Sequence, residues 1–249
     1  MWIYDLDRAI KTRFTFGKAF SGDATWSPSG DEITFASSRN GNFDIFSKPS
    51  SGGGEARMQV GTALNERFPV WSPDGKVLLY QIFSPETKRD LFYRERQSDG
   101  SLGEPAAFLR TPFHEGAAQF SPDGRFVVYV SDESGRPEVY VRSFPDGGGK
   151  WQVSTNGGTA PRWRRDGAET FYVEQGQLMA LRAASRPGFS PPPPVQLFRG
   201  PALTDGFYPA YDVTADGQRF VVRESPSGKE PLAIHVVQNW FEEFRDRQP

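Results

Sequence analysis

Polar and aromatic residues that could bind a ligand recur in this chain at one place in a repeated pattern. Five stretches stand eight to ten residues before a glycine that ends a tight turn, namely Phe20-Ser21-Gly22, Asn65-Glu66-Arg67, His114-Glu115-Gly116, Gly157-Gly158-Thr159 and Phe207-Tyr208-Pro209. The candidate binding residues among them are Asn65, Glu66, Arg67, His114, Glu115, Phe207 and Tyr208. Charged groups, hydrogen-bonding groups and flat apolar surface together suit a peptide or a small ligand. We therefore predict a binding site built from these residues, with a water-filled channel mouth as the alternative.

The sequence offers few means of catalysis. A serine hydrolase of the α/β type needs a Gly-x-Ser-x-Gly turn followed by an acid and a histidine, and the chain has no such turn and two histidines, His114 and His235. The glycine-rich stretch 147–149 is followed by Lys150 and Trp151, where a phosphate-binding loop needs Ser or Thr after the lysine. We predict that this chain is not an enzyme.

Metal-binding patterns are also missing from the sequence. The chain has no cysteine, its histidines have no Glu-x-x-His spacing, and it has no calcium loop of the Asp-x-Asp-x-Asp-Gly type. We predict no metal site and no cofactor. A pair of carboxylates acting on a sugar stays open as an alternative, with Glu66 and Glu115 as candidates, because such pairs meet only in the folded chain.

Charge and hydropathy limit the partners that we expect. The formal net charge of −2 provides no general attraction to nucleic acid. No apolar run approaches the 18 or so residues of a membrane span, so we expect no membrane insertion by this chain. The first residues do not read as a signal peptide. We expect a periplasmic or extracytoplasmic location if an upstream signal or membrane span exists, and a cytoplasmic one otherwise.

A repeat predicts the elements that position these residues. Five times, a large apolar residue is followed by a four-residue turn that ends in glycine, and the glycines are 43 to 50 residues apart. That period is typical of propeller blades, and Pro and Gly stand where a tight turn needs them. The five copies are Trp26-Ser27-Pro28-Ser29-Gly30, Trp71-Ser72-Pro73-Asp74-Gly75, Phe120-Ser121-Pro122-Asp123-Gly124, Trp163-Arg164-Arg165-Asp166-Gly167 and Val213-Thr214-Ala215-Asp216-Gly217.

Each repeat has room for four strands. In the second copy a strand ends at Trp71, residues 76–81 form a buried strand after the turn, and residues 90–93 and 106–109 supply the third and fourth strands. Four antiparallel strands in about 45 residues make one propeller blade. We predict an all-β fold, a β-propeller of four-stranded antiparallel blades, in a single domain over residues 1–249.

Acidic residues begin three of the predicted third strands, namely Asp44, Asp90 and Glu138. We expect them to hold the preceding turns through hydrogen bonds to backbone amides, since short polar side chains often bond to nearby backbone in this way.

The two ends of the chain are out of phase with the repeat. Residues 2–6 and 12–16 match third and fourth strands, while the last copy has its first three strands, which makes twenty-one strands in all. We predict five full or nearly full repeats plus an amino-terminal half blade, that is, five to six blades in a closed or incomplete ring. Because residues 2–6 and 233–237 would compete for one strand position, we expect residues upstream of Met1 to belong to a larger ring.

The turn motif and the blade layout together resemble the TolB-type, WD-like β-propeller repeat of bacteria over essentially the whole chain. The stretches 37–46 and 131–135 and the copies of Trp/Phe-Ser-Pro-Asp-Gly carry this resemblance. A narrower resemblance, in the stretches 161–172, 178–180 and 236–244, is to the last blades of propellers that follow bacterial serine/threonine protein kinase domains. The kinase motifs themselves are absent from the sequence.

The carboxy-terminal residues 239–247 can begin a short helix capped by Asn239. Trp240, Phe241 and Phe244 would share one face of it, which either docks on the propeller or anchors a partner. The resemblance implies an interaction or ligand-sensing module, the sensor or scaffold part of a bacterial kinase. The alternatives are the gating propeller of a prolyl-oligopeptidase-like serine peptidase and, more weakly, a propeller lyase or glycosidase.

Overall fold

A computed structural model describes residues 1–182, 193–200, 203, 211–224 and 233–238. These residues form antiparallel strands and turns, and none of the described segments is helical. The chain divides into two compact units, Met1–Phe113 and His114–Pro249. The prediction of one domain over residues 1–249 stays a prediction.

The first unit contains three sheets whose strands follow one another in chain order. A two-stranded sheet at the amino terminus precedes two four-stranded sheets. The strands are β1 (Trp2–Asp5) and β2 (Ile10–Arg13); then β3 (Ser21–Trp26), β4 (Glu32–Ser37), β5 (Asp44–Pro49) and β6 (Arg57–Val60); then β7 (Asn65–Trp71), β8 (Val77–Ser84), β9 (Lys88–Glu95) and β10 (Ala106–Leu109).

The second unit also contains three sheets, of four, four and three strands. The strands are β11 (Glu115–Phe120), β12 (Phe126–Ser131), β13 (Glu138–Ser143) and β14 (Lys150–Gln152); then β15 (Thr159–Trp163), β16 (Glu169–Glu174), β17 (Gln177–Arg182) and β18 (Val195–Arg199); then β19 (Tyr211–Val213), β20 (Arg219–Glu224) and β21 (Ala233–Gln238). The predicted all-β fold and its blade layout are confirmed, with a half blade at the start of the chain and, among the described residues, three strands in the last repeat.

The repeated turn links the first two strands of each repeat. In all five copies the glycine amide donates to the carbonyl three residues earlier at 2.8–2.9 Å, and the glycine has a φ between 70° and 78°. The second copy shows the role of its polar residues, since Ser72 Oγ donates to Asp74 Oδ1 at 2.6 Å and accepts from the amide of Val77. The turn therefore sets the pairing between the two strands.

A bulge interrupts the first strand of each four-stranded sheet. One residue there, seven positions before the turn glycine, has a left-handed backbone, and the strand register shifts around it. These residues are Asp23, Phe68, Ala117 and Ala160, with φ between 50° and 54°. A bulge of this kind bends the strand and turns neighbouring side chains to a new direction. The predicted residues Asn65, Glu66 and Arg67 lie immediately before the bulge in β7, and His114 and Glu115 lie shortly before the bulge in β11.

Apolar side chains from neighbouring sheets form the core within each unit. In the first unit Ile45 and Val60 of one sheet cluster with Trp71, Leu78 and Tyr80 of the next. In the second unit two such clusters form, one around Val128, Val141 and Tyr172 and one around Phe171 and Phe220. Sheet-to-sheet packing of this kind buries both faces of the strands, which explains their nearly continuous apolar sequences.

Candidate ligand-binding site

Asn65, Glu66 and Arg67 are the first three residues of β7, next to the bulge at Phe68. Their side chains have different surroundings. Asn65 Oδ1 accepts a hydrogen bond of 3.0 Å from the amide of Phe43, and the amide of Glu66 donates to the carbonyl of Phe43 at 2.7 Å. These two bonds attach the start of β7 to the loop that precedes β5 in the neighbouring sheet.

The side chain of Glu66 is fully buried. Its carboxylate accepts hydrogen bonds from the amide of Thr62, at 3.4 Å, and from the Thr62 hydroxyl. Burial raises the pKa of Glu66, and the negative charge of Asp44 acts in the same direction, while the bonds from Thr62 oppose it. A buried carboxylate with these partners holds the loop at 62–64 in place.

Asp44 connects the same loop region to the preceding sheet. Its carboxylate accepts from the side-chain amides of Asn40, at 2.8 Å, and Asn42, at 3.3 Å. The Asn42 amide also donates to the carbonyls of Thr62 and Leu64. Side-chain amides thus take the place of the backbone amides that the sequence led us to expect as partners of Asp44.

Asp90 and Glu138 also differ from that expectation: Glu138 begins β13 as predicted, whereas Asp90 is the third residue of β9. Asp90 accepts from the hydroxyl of Thr87 at 2.5 Å. Glu138 accepts from Arg136 Nε at 2.8 Å and from the Ser154 hydroxyl at 2.5 Å, and the backbone amide that it binds is that of Gly157, which follows β14. The prediction of a structural role is right, but the prediction of amides in the preceding turn as the partners is wrong, because these loops bring side-chain donors and a later segment closer to the carboxylates.

Arg67 presents its guanidinium at a partly exposed position. Its Nε donates to Asp23 Oδ2 at 2.6 Å, and its side chain is 25% exposed. Three aromatic rings lie close to the guanidinium carbon, with centroids at 4.5 Å for Phe43, 4.9 Å for Phe68 and 5.8 Å for Phe20. A cation that lies over aromatic rings and beside a carboxylate is held in one orientation before any ligand arrives.

These five residues, Phe20, Asp23, Phe43, Arg67 and Phe68, are called the Arg67 cluster below. Phe20 is 53% exposed and packs edge-on against Phe43, with 5.6 Å between the ring centroids. The cluster combines a fixed cation with exposed flat apolar surface, as a site for a peptide or an anionic small molecule does.

His114 and Glu115 lie at the start of β11 in the second unit. The amide of His114 donates to Asp132 Oδ1 at 2.8 Å, and Glu115 is buried and pairs through its backbone with Ser131 of β12. Burial raises the pKa of the nearby Tyr129 hydroxyl, and the charges of Glu133 and Glu115 add to this shift. Glu115 therefore belongs to a buried polar group that includes an aromatic hydroxyl.

The remaining predicted site residues lie outside the described residues. They are Phe207, Tyr208, Trp240, Phe241 and Phe244. In the part of the chain that the structure describes, no three His, Asp or Glu side chains are grouped to hold a metal ion, and no helix is long and apolar enough to cross a membrane.

Asp23, Phe43 and Phe68 of the Arg67 cluster were not predicted as site residues, whereas Phe20 belongs to one of the predicted stretches. A signal for Asp23 exists, since it occupies the position seven residues before the turn glycine. No periodicity pairs it with Arg67, which lies in the following repeat.

Comparison with known proteins identifies the fold. No family model matches the chain. The solved structure of TolB from Acinetobacter baumannii superposes with a TM-score of 0.73 at 16% identity, covering 96% of this chain and 56% of that one. The fold is that of the TolB-like β-propellers. An oligogalacturonate lyase in complex with manganese is similar too, with a TM-score of 0.64 at 17% identity over 97% of this chain and 68% of the lyase.

Two curated relatives share more sequence with the chain. The uncharacterized peptidase YuxL of Bacillus subtilis is 26% identical over 178 residues, which is 57% of this chain and 27% of the relative. The uncharacterized protein Atu1656 of Agrobacterium fabrum is 31% identical over 160 residues, 59% of this chain and 53% of the relative. The matches thus span about a quarter and about half of these relatives.

Proposed function

We propose that this chain is a non-catalytic β-propeller module that binds a protein, a peptide or a small ligand. The proposed binding residues lie where the first strand of a four-stranded sheet begins. The observation that carries this proposal is Arg67, whose Nε donates to Asp23, whose guanidinium carbon lies 4.5 and 4.9 Å from the ring centroids of Phe43 and Phe68, and whose side chain is 25% exposed. Such a group supplies a charged anchor within an apolar surface, and Arg and aromatic residues are the residues that dominate binding energy at interfaces.

The buried state of Glu66 supports a binding role over a catalytic one. A general acid must reach the substrate, and the Glu66 carboxylate is buried beneath the loop that it holds through Thr62. In this proposal the parent protein is a bacterial serine/threonine kinase with the propeller as its carboxy-terminal sensor or scaffold. That parentage rests on the resemblance of the stretches 161–172, 178–180 and 236–244.

Binding to a displayed library of random peptides tests the module directly. We expect selected peptides to bind the wild type and to lose at least about tenfold in affinity for Arg67→Gln, since truncating an interfacial anchor costs on the order of 2 kcal/mol. Arg57→Gln is the matched control, because Arg57 pairs with Glu32 at an exposed position on β6. Equal binding by wild type and Arg67→Gln would show that Arg67 does not contact the peptide. Failure to select any peptide would count against a peptide as the ligand.

The second candidate function is the gating propeller of a serine peptidase. It is favoured by the 26% identity to a Bacillus subtilis protein named as a peptidase, of which the match covers 27%. The gene decides between the candidates: an in-frame α/β-hydrolase domain after Pro249 supports the peptidase, whereas a kinase domain before Met1 supports the sensor.

A propeller lyase or glycosidase is the weaker alternative. The lyase structure is similar in fold at 17% identity, and Glu66 and Glu115 are the carboxylates to test. If incubation with oligogalacturonate yields products, loss of turnover in Glu66→Gln or Glu115→Gln would support this reading; absence of products would favour the binding module.

A further inference from the structure

Arg67 has hydrogen-bond donors to spare for a ligand. Its Nε donates to Asp23 Oδ2 at 2.6 Å, and no described residue accepts a hydrogen bond from its two terminal nitrogens. A guanidinium carries its N–H donors in one rigid plane. Because the side chain is 25% exposed, a ligand can approach the donors that the described residues leave unused.

Phe20 places an exposed apolar surface beside this cation. Its ring is 53% exposed, and the ring centroid lies 5.8 Å from the guanidinium carbon of Arg67. The ring also lies close against the backbone of Gly22, since a Cβ added at Gly22 would come within 2.9 Å of two ring carbons. The edge-on contact with Phe43 further limits its movement. The ring is thus held next to Arg67 before a ligand binds.

The charge of Asp23 limits the kind of anion that fits at Arg67. A phosphate group carries about −1.5 to −2 charges at neutral pH, and the Asp23 carboxylate would repel both a phosphate and, less strongly, a singly charged group. A carboxylate carries a single charge, and its two oxygens match a pair of guanidinium nitrogens in one plane. A neutral carbonyl would form weaker hydrogen bonds with the same donors.

We propose that the Arg67 cluster binds a carboxylate that stands next to an aromatic or large apolar group. The carboxylate accepts from the terminal nitrogens of Arg67, and the apolar group packs on the ring of Phe20. This inference rests on the proposed function, because it names the ligand class of the same site. A peptide supplies this chemistry either at its free carboxyl end or through an acidic side chain beside an aromatic one.

Two pairs of probes distinguish these sources of the carboxylate. The first pair is N-acetylphenylalanine and its carboxamide, and the second is the peptide Gly-Phe-Glu-Gly, blocked at both ends, and its analogue Gly-Phe-Gln-Gly. We expect the acid to bind at least about tenfold more tightly than the amide in one pair or in both, because hydrogen bonds to a charged acceptor are the stronger ones. The pair that shows the preference identifies the source. Titrations followed by NMR measure the affinities.

Two variants separate the charged contact from the apolar contact. Arg67→Gln should bind acid and amide with equal affinity. Gly22→Ala leaves every charge in place and displaces the ring of Phe20, so it should weaken the binding of acid and amide alike by severalfold and keep the preference for the acid.

Arg96→Gln is the matched control for the loss of an arginine that lies over an aromatic ring. The guanidinium carbon of Arg96 lies 4.6 Å from the ring centroid of Trp71, but its Nε and Nη1 donate to the carbonyls of Gly75 and Gly100 at 3.1 Å. These contacts lie at the turn end of β7, whereas Arg67 lies near its start. We expect Arg96→Gln to keep the wild-type preference for the acid.

The outcomes separate this inference from the proposed function. Equal affinity of the wild type for acid and amide in both pairs would overturn the inference, even if Arg67→Gln does not fold. A preference for the acid that persists in folded Arg67→Gln, or failure of every probe to bind, would also overturn it. The proposed binding module would still stand if peptides selected from the random library bind the wild type more tightly than Arg67→Gln.

Discussion

The carboxylate of Asp23 accepts a 2.6 Å hydrogen bond from Nε of Arg67, a residue 44 positions further along the chain and on the next sheet. Asp23 is the left-handed residue of the bulge in β3, and Arg67 directly precedes the equivalent bulge residue in β7. Two irregular strand positions from successive repeats are thereby connected. The ion pair and the surrounding rings fix the direction of the guanidinium at the proposed binding site.

Two substitutions of Asp23 distinguish the stability contributed by its charge from the strain of its left-handed backbone. Asp23→Asn should lower the free energy of unfolding by about 1 kcal/mol or less, because the pair is partly exposed and screened, and Asn tolerates the left-handed backbone. Asp23→Val should cost on the order of 1–2 kcal/mol more, since a β-branched residue is strained there. Urea unfolding of the two variants measures both values, and equal stabilities would contradict the strain argument.

The hydrogen bond from the Trp71 indole to Thr34 predicts that substitutions at equivalent positions of two repeats change stability by different amounts. Thr34→Val should destabilise the protein by roughly 1–3 kcal/mol, because it leaves the buried indole N–H of Trp71 without its acceptor. Val128 occupies the same position after its own turn glycine, and the indole N–H of Trp163 has no acceptor among the described residues. Thermal or urea unfolding of Thr34→Val gives the first value.

Introducing a hydroxyl group at the equivalent position of the third repeat, Val128, should be tolerated. Val128→Thr offers the Trp163 indole an acceptor and should change the free energy of unfolding by less than about 1 kcal/mol, although a buried hydroxyl usually costs more. Val141→Thr, buried on the neighbouring strand, is the control and should cost roughly 1–3 kcal/mol. Equal losses in the two variants would show that the indole does not use the new hydroxyl.

Glu66 should make stability fall as pH rises. Burial raises its pKa above the ordinary value of 4.5, so the folded state holds the proton more tightly than the unfolded chain, and stability is lost as the pH rises through the folded-state pKa. Glu66→Gln removes this loss. The difference in free energy of unfolding between Glu66→Gln and wild type should therefore shift in favour of the variant between pH 4 and pH 7.

Glu104→Gln, at an exposed position, controls for the loss of one negative charge. A pH-independent difference between Glu66→Gln and wild type would contradict the assignment. Asp90 and Glu174 also have pKa values raised by burial. The Glu66→Gln variant should therefore keep part of the pH dependence of the wild-type stability.

Gly158 should not accept a side chain. An added Cβ would overlap the side chain of Ser154 and approach Val139, and overpacking of this kind typically costs 1–3 kcal/mol. Gly53→Ala is the control, because the space around Gly53 admits a methyl group at ordinary contact distance. If Gly158→Ala unfolds at the same urea concentration as wild type, the loop at 155–158 adapts and the close contact with Ser154 is not required.

The fold was largely predictable because its signals are local and repeated. A turn such as Ser72-Pro73-Asp74-Gly75 restricts a few backbone angles, and five copies at similar spacing specify sheets of the same size. The strand count and the incomplete sheets at the two ends follow from the same spacing. The bulges were missed, since residues such as Ala117 and Ala160 have no turn-forming type and owe their left-handed backbone to pairing with the neighbouring strand.

The position of the candidate residues within their strand was predictable, but their partners were not. The sequence by itself determined that Asn65, Glu66 and Arg67 stand at the start of a first strand, because that follows from their distance to Gly75. Only the tertiary structure decided that Asn65 and Glu66 bind the neighbouring loop while Arg67 meets Asp23 and three phenylalanine rings. The physical reason is that turn and strand preferences act over a few residues, whereas burial and partners depend on how successive sheets pack, which joins residues more than forty positions apart.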